Sequence, residues 1–277
     1  MTPGERAALA IREEASAIKA GNVHPYASFE DMKFEHFVTA SHAIGAAIDR
    51  CSRESVGATI LASTQAMLDA VGINTSLGTI LLMVPMTKIG LEEPISSKIA
   101  SVRVQMLIHS LSAQDTADIY EAIRITHPGG LGASEDHDVR GPAPKSIVEA
   151  MQIASSWDDV ALQYTNGFEQ VLSLAVALKN AVSHGMERPD AIRSVQADFL
   201  SQRPDSLIVR KHGQAIGREV QRRAAQVIAA GKYGSPAYET EWLAWDQYLR
   251  DPAQRKNPGT TADLIAASLV AWQASWI

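Results

Sequence analysis

Near its C-terminal end the chain reads Asn257-Pro258-Gly259-Thr260-Thr261-Ala262-Asp263-Leu264. Pro258 and Gly259 specify a rigid turn. Thr260 or Thr261 then caps a helix by accepting backbone N–H bonds, and Asp263 falls in its first turn, where the dipole favours negative charge. Such a unit is either an ordinary capped helix or a polar binding site. Recurrence of similar clusters at other helix starts favours the second reading.

Five further clusters could do chemistry. Lys19-Ala20-Gly21-Asn22-Val23-His24-Pro25 follows the first helix, and its tight turn projects Lys19, Asn22 and His24; lysine suits phosphate charge and asparagine both donates and accepts. Phe29-Glu30-Asp31-Met32 comes next and is also readable as an acidic helix start. Gly72-Ile73-Asn74-Thr75-Ser76-Leu77-Gly78 leads into a strongly apolar segment. Its turn residues and free helix N–H groups suit a phosphate or simply cap a core helix, and it lacks the lysine spacing of a Walker loop. A loop over 127–145 carries Gly129, Gly130 and Gly132, then Glu135, Asp136, Asp138 and Arg140. Glycine amides can face an anion and carboxylates can hold a hard cation, so this loop could take a metal-nucleotide; a solvated acidic loop is the alternative. Finally Lys211, Arg218 and Arg222 fall on one face of a helix predicted over 206–230, as a phosphate-facing stripe or a solvated basic face.

The elements that must position these residues are helical. Phe34, Phe37, Val38, Ser41, Ile44 and Ile48 keep a three-four spacing. Similar patterns run over 55–71, 113–125, 146–154, 190–202, 238–249 and 261–274. The stretch 74–86 is apolar all round and reads as a buried central helix. Residues 157–184 form one long helix or a pair broken at Gly167. No run of alternating strands is present. The expectation is all-α: a compact domain of about ten helices spanning 1–277, with the polar clusters meeting in one cleft.

Composition narrows the function. The chain has 277 residues, 46% hydrophobic and 20% charged, with formal net charge -6. That supports a substantial core and argues against nonspecific nucleic-acid binding, which needs a basic surface. A single cysteine, Cys51, excludes an internal disulfide and fits a reducing compartment. The first nineteen residues lack the apolar stretch of a signal peptide, and 79–86 is too short to span a bilayer. A cytoplasmic protein without membrane or nucleic-acid partners is expected; a homo-oligomer is compatible with this.

Taken in order, the lysine-to-proline, phenylalanine-to-methionine, glycine-asparagine-threonine, glycine-rich and asparagine-proline-glycine-threonine motifs resemble the triphosphoribosyl-dephospho-CoA synthase family over nearly the whole chain. The resemblance implies a helical transferase that takes ATP and dephospho-CoA, a small-molecule nucleotide and a cofactor precursor, and releases adenine. It implies Asp31 or Asp263 in electrostatic or base roles, with Lys19, Asn74 and Thr75 on the triphosphate. Asn22, His24, Gly130, Arg140, Lys211, Thr260 and Thr261 complete the nucleotide set, and Glu135 and Asp138 help hold Mg2+. Two departures stand out. The family's lysine-proline-glycine is Lys19-Ala20-Gly21 here, and its histidine-lysine after the glycine-x-asparagine-threonine is Ser76-Leu77. The asparagine-valine-histidine-proline form is similar to a subgroup associated with tetrahydromethanopterin-type one-carbon metabolism. Two other functions therefore stand beside the synthase reaction: a related enzyme of one-carbon cofactor biosynthesis, and a non-catalytic nucleotide-binding or assembly protein.

Overall fold

A computed structural model describes residues 1–89, 95–129 and 137–277. The described residues form fourteen helices and no strand longer than an isolated bridge. They are α1 (Pro3–Ser16), α2 (Phe34–Arg50), α3 (Val56–Val71), α4 (Leu77–Lys88), α5 (Ser97–His109), α6 (Ala113–Thr126) and α7 (Ile147–Ala154). There follow α8 (Asp159–Asn166), α9 (Glu169–Ser183), α10 (Arg188–Gln202), α11 (Ser206–His212), α12 (Gln214–Ala229), α13 (Pro236–Leu249) and α14 (Gly259–Gln273).

The all-α expectation holds, with more helices than expected. Residues 157–184 split at Gly167 into α8 and α9. Residues 206–230 split as well. Gly213 takes φ 86, a conformation that L side chains rarely adopt, and ends α11 as α12 begins. This corrects the continuous basic stripe: Lys211 lies before the break, while Arg222 lies beyond it, exposed and paired with Glu219. The third addition is α5, for which the sequence pattern gave no sign.

Two helices are buried along most of their length. In α4, every residue from Thr79 to Met86 is buried, and in α14 every residue from Leu264 to Ala271 is. These helices pack on each other, and α1 and α9 pack on α14. α4 tolerates Pro85 in its last turn. Proline has no N–H to give the carbonyl four residues back, and the buried Tyr164 hydroxyl donates to that carbonyl, Leu81 O, at 2.7 Å. Around this centre α2, α3 and α6 continue from α1, each beside the one before. A smaller second core joins α10, α12 and α13 through Leu200, Val220, Val227, Trp242, Trp245 and Leu249. α10 contributes to both cores, with Ile192 and Val195 on the first and Ala197 and Leu200 on the second.

Candidate active site

The starts of α4 and α14 meet at the wall of a cavity of ≈ 380 Å³. Two side chains cap α4. Asn74 Oδ1 accepts from Leu77 N at 3.1 Å, and Asp263 Oδ1 accepts from Thr79 N at 2.9 Å and from Thr79 Oγ1 at 2.6 Å. The amides of Leu77 and Thr79 are therefore engaged inside the protein rather than free for phosphate. The carboxylate expected to complement its own helix instead complements the dipole of a neighbour. Gly78 makes this possible: a Cβ there would sit 2.2 Å from Asp263 Oδ2. Burial pushes the Asp263 carboxyl up to about 7, against the pull of the Thr79 donors. The result is a cavity-lining acid able to hold or release a proton near neutrality.

The two threonines play different parts from those expected. Pro258, not a threonine, stands at the N-cap of α14. Thr261 donates through its amide (2.8 Å) and hydroxyl (2.7 Å) to Asp205 Oδ2. The other oxygen of Asp205 caps α11, accepting from Leu207 N and Ile208 N. Buried Asp205 thus ties the starts of α11 and α14 together. Thr260 lines the cavity.

The turn after α1 is drawn inward. Lys19 is fully buried, pairs with Glu14 at 3.1 Å and donates to Glu14 O and Ala17 O. It does not project from the loop and does not line the cavity; Glu14, which was not anticipated, does. Burial lowers Lys19 and raises Glu14. His24 is also buried, outside the cavity lining, and is lowered to about 4 by burial and then by Arg250. Its Nδ1 accepts from Tyr26 N at 3.3 Å. Asn22 does reach the cavity, held by Gln196 Nε2 at 2.8 Å on its side-chain oxygen and by Arg250 on its carbonyl.

Cations come from α11 and from the segment before α14. Arg210, Lys211 and Arg255 all line the cavity. Arg210 pairs with Asp158. Lys211 is lowered by burial and next by the nearby Arg255 and Arg210, so the three charges converge. Arg255 also reaches an adjoining hollow, where it pairs with Asp31 and stacks 4.5 Å from the Phe29 ring centroid. Asp31 belongs to that hollow, 64% exposed, and not to the main cavity. Its carboxyl is held below the usual carboxylate range chiefly by the Arg255 hydrogen bond.

Of the long loop, Gly130 and Glu135 lie outside the described residues. Asp138 lines the cavity and pairs with the exposed Arg140 at 2.7 Å. Among the described residues no three His, Cys, Asp or Glu side chains gather as metal ligands would. The structure therefore brings together Asn22, Asn74, Thr75, Asp138, Lys211, Thr260 and Asp263, and leaves Lys19, His24, Asp31, Arg140 and Thr261 outside the cavity lining. The residues missed in the sequence are Glu14, Thr79, Arg210 and Arg255. Glu14 had a signal: it interrupts the apolar stripe of Ala7, Ala10 and Ile11 on α1.

The described helices include none long and apolar enough to cross a membrane. No curated protein matches the sequence. The fold is similar to a solved structure from Archaeoglobus fulgidus, described as a candidate triphosphoribosyl-dephospho-CoA synthase. The TM-score is 0.66 and the identity 19%, over 86% of this chain and 99% of that one. At this identity the likeness speaks for the fold. Family membership rests on the sequence model that matches residues 1–276: the chain belongs to the CitG family, ATP:dephospho-CoA triphosphoribosyl transferase.

Proposed function

We propose that the cavity is the active site of a nucleotide-dependent transferase that displaces adenine from ATP and joins the triphosphoribosyl unit to an acceptor hydroxyl. The observation that carries this is the convergence of Arg210, Lys211 and Arg255 on the cavity that Asp263 also lines. Arg210, Lys211 and Arg255 bind the triphosphate as charge-assisted donors. Asn22, Asn74, Thr75 and Thr260 supply neutral hydrogen bonds. The bond from ribose C1′ to the adenine ring nitrogen breaks while a bond from C1′ to the acceptor oxygen forms. Positive charge develops on the ribose ring, and the carboxylates of Asp263 and Glu14 stabilise it. The acceptor hydroxyl's proton passes to Asp263 and then to the departing adenine. Asp31 acts at a distance, by holding Arg255. Asp138 is the one described member of the expected magnesium set at the cavity. A Mg2+ ion would enter with the triphosphate as its counter-ion rather than in a protein-built cage, and no step is routed through it.

A second reading concerns the acceptor. Where the family carries histidine and lysine, Ser76 and Leu77 line the cavity. An alkyl group and a hydroxyl in place of two cationic side chains favour an acceptor less charged than dephospho-CoA. This fits the subgroup associated with tetrahydromethanopterin-type one-carbon cofactors. The test is mass spectrometry of purified protein with ATP and Mg2+, supplied with dephospho-CoA or with pterin-pathway alcohols. Free adenine and a triphosphoribosyl adduct are expected with one acceptor class. Absence of adenine with every acceptor, in protein that binds ATP, overturns the transferase reading.

A further inference from the structure

We infer that the aromatic and aliphatic side of the cavity is a subsite for a flat, uncharged heteroaromatic ring, with Trp157 as its stacking residue. Trp242, Trp245 and Trp276 are at most 3% exposed, whereas Trp157 is 43% exposed and faces the cavity. A large indole left open beside an apolar wall offers a face to a ligand. That wall is built by Tyr120, Ile123, Ile147, Met151 and Ile153.

The backbone that carries the indole is fixed. Trp157 N donates to Ala154 O at 3.0 Å in the turn after α7. Next to it, Asp158 caps α8 through Val160 N and Ala161 N and pairs with Arg210. The same stretch of chain therefore presents the indole and anchors one of the cavity's cations. Opposite in sequence, His127 and His137 both line the cavity with left-handed φ of 42 and 52. Such backbone outside glycine persists where its surroundings over-determine it, and the Tyr120 hydroxyl holds His137 O at 2.9 Å. The carboxylates bordering this wall, Asp138 and Asp158, are engaged by Arg140 and Arg210. What remains for a ligand is π-surface, aliphatic surface and the two imidazoles, which suits a flat, uncharged heteroaromatic ring with ring nitrogens. Such a ring is carried by a nucleoside or by an acceptor with a heterocycle of its own.

The inference rests on the proposed function only in taking the cavity as a small-molecule site. Its test is binding of adenosine and of tripolyphosphate, separately, to the full chain by calorimetry and tryptophan fluorescence. Adenosine is expected to quench the fluorescence. Trp157→Leu should weaken adenosine binding by about tenfold, the scale of one base–aromatic stack, and leave tripolyphosphate binding unchanged; Trp157→Tyr should bind adenosine nearly as well as the wild type. Adenosine displaced by ATP assigns the ring to the donor, and adenosine bound together with ATP assigns it to the acceptor; both support the subsite. No adenosine binding at millimolar concentration in protein that binds tripolyphosphate overturns it, as does unchanged adenosine affinity in Trp157→Leu. Adenosine binding without adenine release from ATP in the presence of any of the acceptors would instead sink the transferase reading and leave the subsite standing.

Discussion

Asp263 combines a cavity position, partial burial and a carboxyl raised to about 7. Asp263→Asn keeps the shape and still accepts from Thr79. Turnover with the true acceptor should fall by roughly a hundredfold or more, the scale of a positioned catalytic group, while the fold persists. Stability supplies a second readout. The folded chain holds this proton up to about 7, whereas the unfolded chain gives it up near pH ~4. Asp263 therefore costs stability increasingly as pH rises between those values, and no further above them. His24 acts in the opposite sense: it is lowered from 6.5 to about 4, so its contribution is lost as pH falls. Only the Asp263 part vanishes in the variant. Its melting temperature relative to wild type should climb as pH is raised through the window; a constant difference would show that Asp263 titrates normally. Lys19 is the contrary case. Lys19→Met leaves Glu14 buried without its partner and should cost about 3–5 kcal/mol in urea unfolding, with Glu14→Gln added to it restoring most of the loss. A stable Lys19→Met protein with weakened ATP binding would return Lys19 to the phosphate role. The two residues show what sequence conveys at this scale. The types and spacing of the motifs bring seven of the twelve described candidates to the cavity lining. They do not reveal which way a side chain turns, because Lys19 is decided by Glu14 one turn earlier and Thr261 by Asp205, a residue 56 positions away.

At the scale of elements, strongly periodic or wholly apolar helices were readable and their interruptions were not all. The apolar stretch at 74–86 is α4 within a few residues, with Asn74 as the expected cap. α5 escaped because its apolar residues lie on both sides: Ala100, Val104 and Ile108 are buried, while Ile99, Val102 and Met106 are exposed. No single stripe then marks the helix. Gly213 escaped because an isolated glycine in a helical pattern is often tolerated, and only its left-handed φ reveals the break. The break leaves Lys211 on α11 at the cavity lining and Arg222 on α12, outside it. α4 offers the test at this level. Among the described residues, the side chain that meets the Leu81 O freed by Pro85 is the Tyr164 hydroxyl. Tyr164→Phe should lower stability by about 1–3 kcal/mol, the cost of an unsatisfied buried acceptor. Because α4 carries Thr79, which holds Asp263, the Asp263 pH dependence should also loosen in this variant. An unchanged urea midpoint would mean that the proline's carbonyl is satisfied by other means.

The whole molecule sets two kinds of surface against each other at one cavity. The apolar wall and the acids Glu14 and Asp263 belong to helices of the first core, α1, α4, α6, α7 and α14. The cations come from α11 and the segment after α13, beside the second core to which Ile208 and Leu249 belong. A chain of net charge -6 thus gathers three cations at one place, and an anion bound there ties the two cores together. Binding should raise the melting temperature by mass action, with about 2.7 kcal/mol gained at a ligand concentration a hundred times the dissociation constant. Salt separates the two surfaces. Partly exposed charges are screened over about 8 Å at physiological ionic strength, whereas burial of a neutral ring is not weakened by screening. Stabilisation by tripolyphosphate should therefore shrink as potassium chloride is raised from low to physiological concentration. Stabilisation by adenosine should stay constant, and that by ATP should fall between them. Arg255→Met and Lys211→Met should each flatten the salt dependence for tripolyphosphate without touching adenosine. Equal salt dependence for all three ligands would mean that Arg210, Lys211 and Arg255 do not receive the phosphates.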